Sequence, residues 1–372
     1  MMRHVVISAV NIRKGGTLTV LRDCLSYLSG RTSELHVTAL VHKKGLCDFP
    51  GIDYIEIPWS AESWGKRLKC EYKTMKGISE QLQPVDLWLS LHDTTPDVIA
   101  SRQAVYCQTS FPFLKIRLRD FRMDRKIPLF ALFTKYAYRK NVRRNSYLIV
   151  QQEWLRKGLS KMLGVSPGRF IIAPPHFDNP EIKDCSAGES VPSFIYPASP
   201  DCHKNFELAC EAARILEQRL GKGTFRLVLT IDGSENRYSR WLRSRWGDVE
   251  SVDFHGYMAK EELYRWYGKA ACLLFPSRIE TWGLPISEFK ASGKPLLLAD
   301  LPYSRESAAG ADCVSFFDIT DAKALADKME LVIKRNFRNF ESLLTNTPGQ
   351  PYAPDWAGVF DILLEDENTT TR

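Results

Sequence analysis

The stretch Ser277-Arg-Ile-Glu-Thr-Trp-Gly-Leu-Pro-Ile-Ser-Glu-Phe-Lys-Ala-Ser-Gly-Lys-Pro295 holds two carboxylates, Glu280 and Glu288, with seven residues between them. The apolar run Ala271-Cys-Leu-Leu-Phe275 comes just before it. A short, unbroken apolar run of this kind reads as a buried strand. Pro285 suits the first turn of a helix, where its missing N–H costs nothing. Gly293 suits the end of that helix, and Pro295 cannot continue it. A second apolar run, Leu296-Leu297-Leu298, follows. The segment is therefore predicted to be strand, loop, short helix and strand. Such a loop and helix start aim free backbone N–H groups at one spot, which suits a phosphate. Glu280, at the strand's exit, can accept hydrogen bonds from hydroxyls. Glu288, one turn into the helix, can bind a second polyol. A phosphate flanked by two polyols describes a sugar nucleotide. Two glutamates at this spacing also arise by chance on a surface helix, but the Gly-Leu-Pro insert and both flanking strands favour the functional reading.

Working outward, the pattern of strand followed by helix recurs along the whole chain. Strands are predicted at Val5–Val10, Leu35–Val41, Tyr54–Ile57, Leu87–Leu91, Ala104–Cys107, Tyr147–Val150 and Phe170–Ile172. Helical patterns at about 17–28, 66–82, 129–142 and 153–163 fall between them. The series restarts after a Pro-rich stretch, Ala173-Pro-Pro-His-Phe-Asp-Asn-Pro-Glu181, which reads as a linker running on to about Glu189. Strands alternating with helices mean parallel α/β sheets. At 372 residues two domains are the default. The expected division is 1–175, 190–353 and a last helix with its tail over 354–372. The tail from Asp366 to Arg372 reads as disordered.

Several classes are disfavoured. No apolar run is long enough to span a bilayer, and the start is too strand-like for a signal peptide. The nine cysteines are scattered with no Cys-x-x-Cys pair, which points to reduced thiols in a cytosolic protein. The dinucleotide fingerprint is missing after both domain-opening strands, which argues against a dehydrogenase. No Asp-x-Asp occurs, so no side-chain-held metal is expected.

The Glu-x7-Glu segment resembles the signature of retaining glycosyltransferases of family four. The resemblance is motif-level, stronger over the second half of the chain. It implies a GT-B fold: two Rossmann-like domains facing each other across a cleft. It also implies a nucleoside-diphosphate sugar as donor substrate, with no cofactor. Glu280 would bind the donor sugar and act in catalysis. Glu288 would bind the ribose, and the backbone of Thr281, Trp282, Gly283 and Leu284 would hold the diphosphate. The family usually has Gly-Phe after the first Glu, where this chain has Thr281-Trp282. Lys204 matches a family lysine that neutralises the diphosphate. Ser199 stands where the family has an arginine, so that charge would come from elsewhere; His203 and Arg278 are the nearest candidates. Tyr257 and Met258 match the loop that wraps the base. Gly15 and Gly16, between the first strand and helix, match a loop facing the diphosphate. His92, at the end of the strand Leu87–Leu91, would line the cleft near the reacting carbon, with Asp93 orienting its ring and Gln108 nearby. The last helix, 356–364, would pack back towards the first domain.

The net charge of +7 is concentrated. Between Phe111 and Tyr147 lie eleven Lys or Arg and only Asp120 and Asp124, interleaved with aromatic and aliphatic residues. That mixture suits an anionic membrane surface on the cytoplasmic side. It suggests a polyprenyl-diphosphate-linked glycan as acceptor, in O-antigen or capsule assembly. The same residues are open to a plain solvated helix face, or to a basic two-domain nucleic-acid-binding protein. A sugar-nucleotide epimerase of the same fold is the remaining alternative; nucleic acid is not the expected partner.

Overall fold

The computed structural model describes residues 2–176, 181–185, 188–345 and 347–365. The chain divides into two compact units. The first comprises Met1–Thr109, Phe133–His176 and Pro348–Arg372; the second comprises Ser110–Leu132 and Phe177–Thr347.

In the first unit, strands β1 (Arg3–Ala9), β2 (Leu35–Val41), β3 (Ile52–Glu56), β4 (Leu87–Ser90), β5 (Arg102–Tyr106), β6 (Tyr147–Val150) and β7 (Phe170–Ile172) form one parallel sheet. Its order is β3-β2-β1-β4-β5-β6-β7. Helix α1 (Gly16–Ser29) follows β1, and α2 (Trp64–Lys69) and α3 (Met75–Gln81) follow β3. A wider π turn, Cys70–Thr74, separates α2 from α3, so the predicted single helix is broken at its centre. After β5 the chain runs through α4 (Leu118–Met123), which belongs to the second unit, and α5 (Lys126–Arg139), which begins there, and α6 (Glu153–Leu163) joins β6 to β7. The inner strands β1 and β4 are buried on both faces, with Val5, Ile7, Leu87 and Leu89 in one apolar cluster and Val6 and Trp88 in another, as parallel sheets covered by helices require.

In the second unit the strands are β8 (Ser193–Tyr196), β9 (Arg226–Leu229), β10 (Val252–Phe254), β11 (Cys272–Phe275), β12 (Leu296–Ala299) and β13 (Val314–Phe317). They form a second parallel sheet, in the order β10-β9-β8-β11-β12-β13. Helices α7 (Phe206–Leu220), α8 (Arg237–Trp246), α9 (Lys260–Lys269), α10 (Leu284–Lys290), α11 (Pro302–Ser307) and α12 (Ala322–Ile333) connect them. The predicted strand, loop, helix and strand around Glu280 are β11, α10 and β12. Helix α8 was not anticipated.

The last helix, α13 (Trp356–Leu364), belongs to the first unit. Its Phe360 stacks on Tyr27 of α1 at 5.6 Å, and Asp355 caps it by accepting from the Gly358 amide. Tyr352 bridges to Ile172, so the return to the first sheet begins before residue 354. The stretch 110–132, expected in the first domain with the rest of the basic segment 111–147, instead packs into the second unit. A buried Asp120–Arg278 pair and an edge-on contact of Phe111 with His203 hold it there. Parts of the expected linker, at 177–180 and 186–187, and the tail 366–372 lie outside the described residues. All nine cysteines are free. Among the described residues no helix is long and apolar enough to cross a membrane, and no group of three or more His, Cys, Asp or Glu is placed to hold a metal.

Candidate active site

In each sheet the strand order reverses direction at one point, between β1 and β4 and between β8 and β11. Chains leaving the C-terminal ends of such neighbours part to opposite sides and open a crevice, the usual ligand position in α/β proteins. In the second unit the residues leaving β8 are Ser199 to Lys204, and those leaving β11 are Ser277 to Gly283.

These two exits meet. The Lys204 ammonium donates to Glu280 Oε1 at 2.6 Å, with both side chains about one-seventh exposed. The Tyr196 hydroxyl, buried in β8, donates to the Lys204 carbonyl at 2.7 Å and fixes its backbone. The loop beyond Glu280 is anchored at several points. Tyr303 donates to the Ser277 carbonyl at 2.7 Å, and the Trp282 indole N–H donates to Ser287 Oγ at 2.9 Å. The Ser307 hydroxyl donates to the Trp282 carbonyl. Gly283, buried at φ 88°, starts α10 in the left-handed region that favours glycine. A Cβ there would meet Ile286 Cδ1 at 3.2 Å. Glu288, half-buried on α10, accepts from Tyr267 at 3.1 Å, with the Tyr264 hydroxyl at 3.5 Å. Burial, followed by the Glu288 charge, pushes the Tyr267 hydroxyl pKa well up, so the tyrosine remains a donor to that carboxylate.

Neither candidate for the missing arginine supplies a charge. Burial, then the charges of Lys204 and Arg278, keeps the His203 imidazole neutral well below its ordinary range. Arg278 is consumed by Asp120 in a bidentate pair, both bonds at 2.8 Å. The Ser199 hydroxyl donates to Asp201 at 2.6 Å within its own turn. Of the base-loop pair, Tyr257 is 88% exposed and Met258 is buried.

In the first unit the predicted residues also gather at the switch point. Gly15, at φ 72°, turns the chain into α1, and Gly16 begins that helix with nothing within 4 Å of where a Cβ would be. His92 leaves β4 as a buried residue, 1% exposed. Its Nε2 lies 3.2 Å from Ser8 Oγ and its Nδ1 3.3 Å from Glu71. Asp93 does not orient this ring, contrary to expectation. Its carboxylate is taken by the amides of Gln108 and Thr109, at 2.6 and 3.0 Å. The ring's acidic partner is Glu71, from the π turn, which also accepts from Arg67 at 2.7 Å and Thr94 at 2.8 Å. The Gln108 amide side chain donates to the Leu91 carbonyl at 2.6 Å.

Sequence reading missed Tyr267, Asp120, Glu71 and Asn205. Asn205 tolerates its left-handed φ of 60° and donates to the carbonyls of Pro276 and Ile319, tying two strand exits together. An Asn just before a long helical pattern was the one available signal for it.

Residues 192–335 match the model of the family described as "Glycosyl transferases group 1". No protein of curated function matches the chain by sequence. Among solved structures the chain is similar to WaaG, a glycosyltransferase involved in lipopolysaccharide biosynthesis. The TM-score is 0.64 at 17% identity, covering 89% of this chain and 90% of that one. It is also similar to a sucrose-phosphate synthase from Thermosynechococcus elongatus, with a TM-score of 0.63 at 14% identity and 90% of both chains covered. A third similar structure is Anabaena HepE in complex with UDP-glucose, at 0.58 and 13%, covering 91% and 92%. The chain thus has the GT-B fold, and its residues 192–335 are similar to the group 1 glycosyltransferases.

Proposed function

We propose that this protein is a retaining glycosyltransferase. It moves a hexose-type sugar from a nucleoside diphosphate to a hydroxyl of a glycan acceptor. The observation that carries the reading is the Lys204–Glu280 pair, 2.6 Å apart at the switch point of a domain similar to the group 1 glycosyltransferases, with Glu288 held by Tyr267 one turn further on. As the bond from the sugar's anomeric carbon to the diphosphate breaks, charge builds on the leaving oxygen. Lys204 and the amides of Thr281 to Leu284 are preorganised to meet it, without a resident metal. Glu280 accepts hydrogen bonds from the sugar's hydroxyls, and Glu288 accepts from the ribose. The acceptor hydroxyl attacks from the face the diphosphate leaves, and its proton passes to the diphosphate oxygen. No second carboxylate is needed as a nucleophile.

The acceptor in this reading is lipid-linked, in surface-polysaccharide assembly. Support comes from the exposed face of α5. Leu129, Leu132, Phe133 and Tyr136 are spaced along one helical face and are 44–62% exposed. Lys126, Arg139 and Lys140 share that face, and the helix contains no Asp or Glu. Trp64 and Leu68 of α2 are also exposed, and Lys140 lies over the Tyr72 ring in the turn that follows α2. Apolar and basic groups presented together fit an anionic bilayer surface. The similar structures WaaG, a glycosyltransferase involved in lipopolysaccharide biosynthesis, and WaaB, a lipopolysaccharide outer core galactosyltransferase, are in keeping with such an acceptor.

The test is thermal melting against UDP, GDP, CMP and ADP. One nucleoside diphosphate is expected to stabilise the protein, and Glu288→Ala is expected to weaken that shift. Glu280→Ala is expected to keep the shift and abolish transfer from the matching nucleotide sugar. A wild-type protein indifferent to the whole panel would sink the reading.

A further inference from the structure

The stretch 110–132 leaves the first sheet after β5, and its contacts lie in the second unit. At its centre the Asp120 carboxylate accepts two hydrogen bonds from the Arg278 guanidinium, Nη1 to Oδ1 and Nη2 to Oδ2, each 2.8 Å. Both side chains are 2% exposed. Each group makes a further bond: Nη2 donates to the Lys115 carbonyl at 2.5 Å, and Asp120 Oδ2 accepts from the Arg117 amide at 2.8 Å. A planar guanidinium in a two-bond fork with a carboxylate has one geometry, and burial removes the water that would loosen it.

The position of this fork gives it its use. Arg278 stands two residues before Glu280. Its amide donates to the carbonyl of His203, next to Lys204, at 2.8 Å. From the same inserted stretch Phe111 packs edge-on against the His203 ring, with centroids 5.2 Å apart, and Phe130 packs edge-on against Phe111 at 5.5 Å. The two backbones that carry Lys204 and Glu280 are therefore joined to each other, and both are braced by one inserted segment.

We propose that Asp120 is a positioning residue for sugar transfer: through Arg278 it fixes the backbone at His203 and Ile279, and so sets the Lys204–Glu280 geometry that receives the donor. This rests on the donor-site reading of Lys204 and Glu280. It makes a segment interrupting the first unit a working part of the donor site in the second.

Removing Asp120 alone strands a buried guanidinium and risks unfolding. The decisive variant is therefore Asp120→Leu with Arg278→Met, which fills the same space without charge and is expected to keep the fold. Asp120→Glu serves as the conservative control. Hydrogen exchange of peptides covering 202–206 and 278–284 is read without ligand. The melting shift with UDP and GDP, and the release of free sugar from UDP-glucose or GDP-mannose, are read in parallel.

The double variant is expected to melt like wild type and to exchange faster at those two peptides only. It is expected to lose about 100-fold in kcat/KM, mostly in kcat, as misplacement by about 1 Å does. Asp120→Glu is expected to recover most of that loss. Unchanged exchange at both peptides, or wild-type kcat/KM in a folded double variant, overturns the proposal. Faster exchange across the entire second unit with a lower melting temperature also overturns it, because Asp120 would then act on stability alone. If the wild type ignores both nucleotides, the donor reading fails, whereas the exchange data still decide whether Asp120 holds the two peptides.

Discussion

Gly283 and Gly16 are both glycines beside helix starts, yet the backbone asks different things of them. Gly283 sits at φ 88° with Ile286 in the way of any Cβ. Gly283→Ala is expected to cost about 1–2 kcal/mol from the left-handed backbone alone, and to displace the loop carrying Trp282. Melting with and without the stabilising nucleotide checks this, the nucleotide shift falling more than the apo melting temperature. Gly16 has an ordinary φ and open space around it. Gly16→Ala is therefore expected to leave the apo melting temperature unchanged or slightly raised. If activity nevertheless drops, the bare backbone at Gly16 is needed by a ligand and not by the fold. At this scale the sequence singled out Glu280, Gly283 and Glu288 because they lie close together and their order is itself the signal, whereas Lys204, 76 residues away, came only through the family resemblance. The sequence could not expose Arg278's partner, which lies 158 residues away.

Most strands and helices were legible because their apolar periodicity is strong. Helix α8 was not, because Arg237-Tyr-Ser-Arg-Trp-Leu-Arg-Ser-Arg-Trp246 is dominated by arginine. Its buried apolar stripe is Tyr238, Leu242 and Trp246, spaced four apart, and its start is an Asn236–Ser239 capping box instead of the usual Ser/Thr with Glu. Asn236→Ala is expected to destabilise the protein by about 1 kcal/mol, read by denaturant unfolding. For α5 the sequence predicted basic and apolar residues on adjoining faces. The structure decides which of them face outward: Leu129, Leu132, Phe133 and Tyr136 do, whereas Tyr138 is buried. Changing Leu132, Phe133 and Tyr136 together to Ser is expected to abolish co-sedimentation with anionic phosphatidylglycerol vesicles at low salt, without lowering the melting temperature. Binding that survives this change would remove α5 as the membrane-facing element.

Across the whole molecule, buried ionisable groups set the response to acid. Burial pushes the Glu71 carboxyl up, but the charges and hydrogen bonds of His92 and Arg67 outweigh it and hold the group at about 2. Burial likewise raises Asp120, and Arg278 with the Arg117 amide brings it below its ordinary value. Both contributions are complete above the unfolded carboxylate range and are lost as pH falls from that range through the lower folded pKa, about 2 for Glu71. His203 acts earlier. The unfolded chain takes up its proton near 6.5 while the fold keeps the ring neutral, so stability falls by about 1 kcal/mol per pH unit below that point. The melting temperature is expected to drop between pH 7.5 and 5.5, and His203→Phe is expected to flatten that drop. The sequence by itself determined two parallel α/β sheets, the strand, loop and helix around Glu280, and the last helix, because each follows from local periodicity, turn residues and chain order. Only the tertiary structure decided that residues 110–132 serve the second unit, that Glu71 and not Asp93 faces His92, and that Asp120 takes up Arg278. Those outcomes depend on which distant groups share a buried space. A buried charge must find its partner wherever the fold brings one, and that distance leaves no trace in local spacing.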